Sequence, residues 1–215
     1  MTEMNMNKDR IHCFLAAAWL AVAAPGVLHA ADDLRKEAVP SRQGRAPNAK
    51  AFDERLSLLG ISFHVTSAHS ASGNSVEIQP AGLKIDNSKI SWPVEGIVTR
   101  AEVADINADG SPEVYVYVRE HGPEERMSLV AYSANRKKSL SAIYLPPLAE
   151  NPQAAAGYRG KDDLAVVEGV FVRRFPLYGK GGDPAAPTGK TRQLQYKLKP
   201  GEAGWVLRLD KMLEY

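Results

Sequence analysis

The chain has 215 residues, 27 Lys and Arg against 25 Asp and Glu, and a single cysteine. A net charge of +2, with the basic residues scattered rather than striped, makes no demand for a nucleic-acid or membrane partner. One cysteine excludes a disulfide framework, so stability has to come from an apolar core, which a chain of this length can build.

At the N-terminus, Lys8 and Arg10 precede an apolar run that opens at Cys13 and closes at Leu28. Pro25 and Gly26 interrupt it late, and the small residue Ala30 stands before Ala31-Asp32. A basic start, a short apolar stretch and a small residue at the cut describe a secretory signal peptide over residues 1–30. The run is shorter than the roughly 20 apolar residues a spanning anchor needs. Cleavage after Ala30 removes Cys13 and leaves a mature chain without thiols or membrane attachment. No Asn-X-Ser/Thr sequon occurs, which leaves a bacterial periplasm as the natural compartment.

Residues 31–51 are rich in Ala, Pro, Arg and Gln, lack apolar periodicity and read as a disordered tether. From Phe52 the pattern becomes alternating. Ile61, Phe63 and Val65 alternate with Ser62, His64 and Thr66; Val114, Val116 and Val118 with Tyr115 and Tyr117; Leu194, Tyr196 and Leu198 with Gln193, Gln195 and Lys197. Trp205, Leu207 and Leu209 face away from Arg208 and Asp210. Gly, Pro and Asn punctuation separates the runs, as at Gly122-Pro123, Pro146-Pro147 and Pro200-Gly201. This predicts one all-β domain over residues 52–215, an antiparallel sandwich or barrel of about eight to ten strands. Short helices are expected only near 52–59 and 152–158. The basic run Arg136-Lys137-Lys138 reads as a solvated turn between strands.

Catalytic constellations are not evident. His64, His69 and His121 lack metal-helix spacing, no Gly-X-Ser-X-Gly elbow exists, and Glu124-Glu125 are adjacent rather than opposed. Thr188-Gly189-Lys190-Thr191 lacks the first glycine of a phosphate loop, whose place Pro184 takes. The expectation is therefore a binding protein and not an enzyme.

The most informative stretch runs from Val103 through Asp105, Asn107, Asp109-Gly110 and Glu113 to Tyr117, a strand, a tight acidic turn and a second strand. Asp105, Asn107, Asp109 and Glu113 offer hard oxygens at the spacing of a calcium loop, the only cofactor site the chain suggests. The same side chains equally suit a metal-free turn in which they accept hydrogen bonds from backbone N–H groups. Val116 occupies the position where a helix-loop-helix calcium loop has its bidentate Glu, and the motif occurs once, so the metal-free turn fits better.

Read together, several segments have a familiar order. Val98-Thr99-Arg100-Ala101-Glu102-Val103 leads through the Asp-Gly-Ser-Pro-Glu turn to Val114-Tyr115-Val116, then to Ser128-Leu129-Val130-Ala131-Tyr132 and Ile143-Tyr144-Leu145-Pro146. Gly157-Tyr158-Arg159-Gly160 and Arg173-Arg174-Phe175-Pro176-Leu177-Tyr178 follow. Over roughly residues 97–215 the chain resembles the periplasmic inhibitors of invertebrate-type (I-type) lysozyme, the PliI-like family. The resemblance implies a secreted β-sandwich that inserts a hairpin loop into the cleft of a muramidase, with lysozyme as its partner. The family's loop carries a Ser-Gly-X-Tyr-like motif. The corresponding stretch here holds Arg119, Glu120, His121, Gly122, Pro123 and Arg126, of which only Gly122 has a counterpart in that motif. Pro123 restricts the chain, and Arg119, His121 or Arg126 suit the carboxylates of a muramidase. An edge strand of such a fold also offers a route to a homodimer.

Overall fold

A computed structural model describes residues 50–70, 73–179 and 186–215. The expected signal peptide and nearly all of the tether lie outside the described residues. Within them the fold is all-β, as the alternation predicts, with twelve strands in two sheets. The smaller sheet is a meander of β1 (Phe52–Leu58), β2 (Ile61–Ser67), β3 (Asn74–Ala81) and β4 (Ile90–Val94).

The larger, eight-stranded sheet joins two further meanders. One contains β5 (Gly96–Ala104), β6 (Glu113–Glu120), β7 (Met127–Asn135) and β8 (Ser139–Tyr144). The other contains β9 (Asp163–Val167), β10 (Val170–Tyr178), β11 (Pro187–Pro200) and β12 (Trp205–Glu214). The order is β5-β6-β7-β8-β12-β11-β10-β9. β8 meets β12 in a parallel contact of two residue pairs, Trp205 with Ile143 and Val206 with Tyr144.

The two end strands, β5 and β9, are joined by side chains rather than by a ladder. Arg100 Nη2 donates to the Leu164 carbonyl at 2.6 Å, and Glu102 Oε2 accepts from Val166 N at 2.9 Å. Glu102 also accepts the Tyr117 hydroxyl at 2.7 Å, and the Arg100 guanidinium lies 4.8 Å from the Tyr117 ring centre. These contacts nearly close the sheet into a barrel.

Period-two alternation then explains two cores on the two faces of one wall. Tyr115 and Tyr117 of β6 point into the barrel with Phe171, Phe175, Leu194, Tyr196 and Leu207. Val114, Val116 and Val118 of the same strand point outward, against Phe63, Val65, Val76 and Ile78 of the smaller sheet. β6 is consequently buried on both faces up to Val118. Full burial of each such side chain contributes about 1.5–3 kcal/mol, so β6 is the spine of the molecule.

Three expectations need correction or refinement. Residues 52–59 are not helical: 52–58 form β1, an edge strand exposed along most of its length, and Leu59 opens the turn after it. A helix does form near 152, but it covers only Pro152–Ala155, started by Asn151, whose side chain accepts from Ala154 N. Leu209 lies on the same face as Leu207, opposite Tyr196 as Leu207 is opposite Leu198, yet it is 36% exposed where Leu207 is fully buried.

The Arg136-Lys137 turn joins β7 to β8 as expected, yet it does more than face solvent. Both residues take positive φ, 48° and 56°, conformations that cost a side-chain-bearing residue free energy. The carbonyls of Lys137 and Lys138 accept from Lys84, Ile85 and Asp86, and Lys137 Nζ donates to the Leu59 carbonyl. These bonds fasten the barrel to the loops of the smaller sheet and hold the strained turn in place. The Thr188-Gly189-Lys190-Thr191 stretch lies within strand β11, with no helix after it to cradle a phosphate.

Candidate functional site

β6 carries a candidate at each of its ends. The acidic turn precedes Glu113 and the hairpin loop follows Glu120, so an extended strand of about 24 Å separates them.

At the first end, the acidic side chains serve the backbone of their own turn. Asp105 accepts from Asp109 N at 3.0 Å and from Gly110 N at 2.9 Å. Asn107 accepts from Asp109 N at 3.3 Å, and Asp109 from Ser111 N at 2.8 Å. Ala108 and Gly110 take the left-handed conformations that make the bend, φ 54° and 79°. Glu113 is fully buried on the barrel side, where Oε2 accepts from Ile106 N at 3.0 Å and Ser133 Oγ approaches Oε1 at 3.4 Å. Burial, together with the nearby carboxylates of Asp105 and Asp109, pushes the Glu113 carboxyl up to about 7.

Oxygens of Asp105, Asp109 and Glu113 nevertheless lie within 4.8 Å of one another, a donor set suited in size and hardness to calcium. The N–H bonds already satisfy the turn in its own right. An ion would have to share those oxygens with the amides.

At the other end of β6, Arg119, Glu120, His121, Gly122, Pro123 and Arg126 are brought together in the β6–β7 hairpin, as the sequence places them. Residues 121–126 are all exposed. The loop is nonetheless held from two sides. On one, Gly96 of β5 passes so close that a Cβ there would sit 2.1 Å from the Arg119 carbonyl oxygen. On the other, a Cβ on Gly160 would sit 2.0 Å from the Glu124 carbonyl oxygen, and Gly160 has φ +86°. Only glycine fits this approach, which lets Lys161 N donate to the Glu124 carbonyl at 2.7 Å. Glu120 N closes the hairpin onto the Arg126 carbonyl at 2.8 Å. Arg126 forms an ion pair with Glu124 at 2.6 Å. His121 borders a groove of about 360 Å³ with Asn74, Glu95 and Gly96.

Beneath the hairpin lies a buried polar cluster that the sequence reading did not assemble. Asp162 accepts from Met127 N, the first residue of β7, and from the Tyr158 hydroxyl, both at 3.0 Å. Arg173 meets Asp162 at 2.5 Å through Nη2, which also donates to the Tyr158 hydroxyl at 2.9 Å. The ion pair is close but poorly angled, so Asp162 Oδ2 and Arg173 Nε both lack hydrogen-bond partners. Burial raises the Tyr158 hydroxyl to about 12, against the opposing pull of Arg173. The sequence carried a signal for the burial of Arg173 alone, which shares its strand face with the core residues Phe171 and Phe175, and none for its partners. Arg174, on the opposite face, donates from Nε to Gln193 Oε1 at 2.6 Å.

The other two histidines among the described residues are accounted for locally. His69 bridges the Lys50 carbonyl and Val98 N, and His64 lies 2.9 Å from Asp53. Among the described residues no helix is long and apolar enough to cross a membrane. Compared with known proteins, the chain matches no family model, no curated protein and no solved structure.

Proposed function

We propose that the chain is an exported binding protein, a periplasmic inhibitor of lysozyme, I-type first among the classes, whose β6–β7 hairpin blocks the muramidase cleft. The observation that carries this reading is the combination of an exposed tip, residues 121–126, with flanks fixed by Gly96 and by the bond from Lys161 to Glu124. A loop ordered before it meets its partner loses little conformational entropy on insertion, and Pro123 at the tip restricts it further. Arg126 is matched by Glu124, which leaves Arg119 and His121 as the groups to approach catalytic carboxylates. Glu120, Glu124 and Glu125 would then lie at the rim of an acidic cleft.

The test is a cell-wall lysis assay with I-type, C-type and G-type lysozymes. Inhibition of the I-type enzyme is expected. Replacing Arg119 and His121 together with alanine should weaken inhibition about ten- to a hundred-fold while leaving the melting temperature unchanged. Failure to inhibit any of the three at micromolar concentration would remove the proposal.

The 4.8 Å cluster of Asp105, Asp109 and Glu113 favours a second reading, a calcium-stabilised structural or binding domain of the periplasm without inhibitory activity. An ion bound only to the folded state raises the melting temperature by mass action. This reading expects a rise of several degrees in millimolar calcium relative to chelator, about what 1–2 kcal/mol produces in a domain of this size. Superimposable melts discard it.

A further inference from the structure

The barrel wall has an opening. β8 pairs with β7 only from Tyr132 to Asn135, opposite Ala142 to Ser139. Past Ala142, β8 leaves β7 and reaches β12 at Ile143 and Tyr144. Ser128, Leu129, Val130 and Ala131 therefore have a strand partner on one side, β6, and β8 has departed from the other.

A cavity of about 340 Å³ occupies this gap, within the roughly 300–1,000 Å³ typical of small-molecule sites. Its walls are mainly apolar, with Leu129, Ala131 and Ile143 on the barrel side and Leu145 and Pro146 beyond the end of β8. Trp92 and Tyr144, each 54% exposed, border it towards solvent. Arg173 is the only charged residue in the lining. Its ion pair and its hydrogen bond both leave through Nη2, and Nε has no partner. Asp162 is not in the lining, so no carboxylate faces the cavity to repel an anion.

The geometry points to a binding site for a small amphiphile, an aliphatic carboxylate whose chain lies between β7 and the 143–147 segment and whose head meets Arg173. A carboxylate suits the guanidinium better than a neutral head, because charge-assisted hydrogen bonds are stronger and the planar fork accepts two oxygens. A cationic head finds no carboxylate in the lining and faces the guanidinium instead. The site is separate from the hairpin tip, so this assignment stands or falls independently of lysozyme inhibition.

Calorimetric titration of the purified full chain with octanoate, octanol and octyltrimethylammonium tests the assignment. Octanoate should bind saturably at one per chain, at least about ten-fold more tightly than either relative. Ser128→Phe, which places a ring at the outer mouth of the cavity without touching the ion pair, should block octanoate binding and leave the fold intact. Arg173→Met should bring the three affinities together. If that variant does not fold, the head-group comparison and Ser128→Phe decide alone. Equal affinity for the three amphiphiles, undiminished binding by Ser128→Phe, or no saturable octanoate binding up to about 5 mM overturns the proposal.

Discussion

Replacing Asp162 with alanine is expected to lower the stability of the domain by about 3–5 kcal/mol, because it leaves the buried Arg173 charge without its counter-ion. The same change removes the acceptors of Met127 N and of the Tyr158 hydroxyl. Urea unfolding checks this, with the loss read as a lower midpoint at unchanged slope. An apolar double replacement, Asp162→Leu with Arg173→Met, should recover most of the loss, since well-packed apolar residues often match or exceed a buried ion pair. A double variant no more stable than Asp162→Ala would show that the Met127 and Tyr158 hydrogen bonds, and not the charge, dominate. Asp162 holds the first residue of β7, directly after the hairpin, so under the proposed function the single variant should inhibit lysozyme less well even where the fold survives.

The second large effect concerns pH. A carboxyl whose folded value, about 7, exceeds its ordinary 4.5 binds a proton more tightly in the folded state than in the unfolded one. Stability from Glu113 is therefore fully present below about 4.5, is lost as pH rises through about 7, and is absent above that. The shift corresponds to roughly 3 kcal/mol across the window. Glu113→Gln keeps an acceptor for Ile106 N and cannot ionise, so its stability should vary less between pH 5 and pH 8. Near pH 5 it should match the parent, and at pH 8 it should exceed it. Unfolding free energies in the presence of chelator measure this directly, since a bound cation would hold Glu113 ionised and flatten the parent's profile. Parallel profiles for the two proteins would contradict the assignment of Glu113 as the titrating group.

Alternation made the interior strands legible. Ile61, Phe63 and Val65, or Leu194, Tyr196 and Leu198, each have one buried face, and a period of two reports exactly that arrangement of apolar residues. Edge strands were harder to see. β1 packs only Phe52, Leu56 and Leu58, with Asp53, Glu54 and Arg55 in solvent, so its apolar spacing mimics a helical turn. β4 is short and contains Pro93, a residue tolerated there because only one side of the strand is paired. The acidic turn and the hairpin were both legible from local residue types. The Asp162–Arg173–Tyr158 cluster was not, since Asp162 and Arg173 meet only when β10 returns beside the 157–162 segment. Two glycines that position the hairpin, Gly96 and Gly160, were equally silent, because a close backbone approach leaves no mark on composition.

The barrel's construction has a consequence for how it comes together. Each half, β5 to β8 and β9 to β12, is a run of neighbours in sequence, so its ladders form at small loop-closure cost. Around the ring, strands of different halves meet along two seams: the two-residue contact of β8 with β12, and the side-chain clasp between β5 and β9. Assembly thus reduces to making two local ribbons and mating them along two narrow lines, which favours rapid folding for an all-strand protein. Those same lines are where the finished ring has least to hold it shut, and transient parting there exposes the interior while every hairpin stays whole.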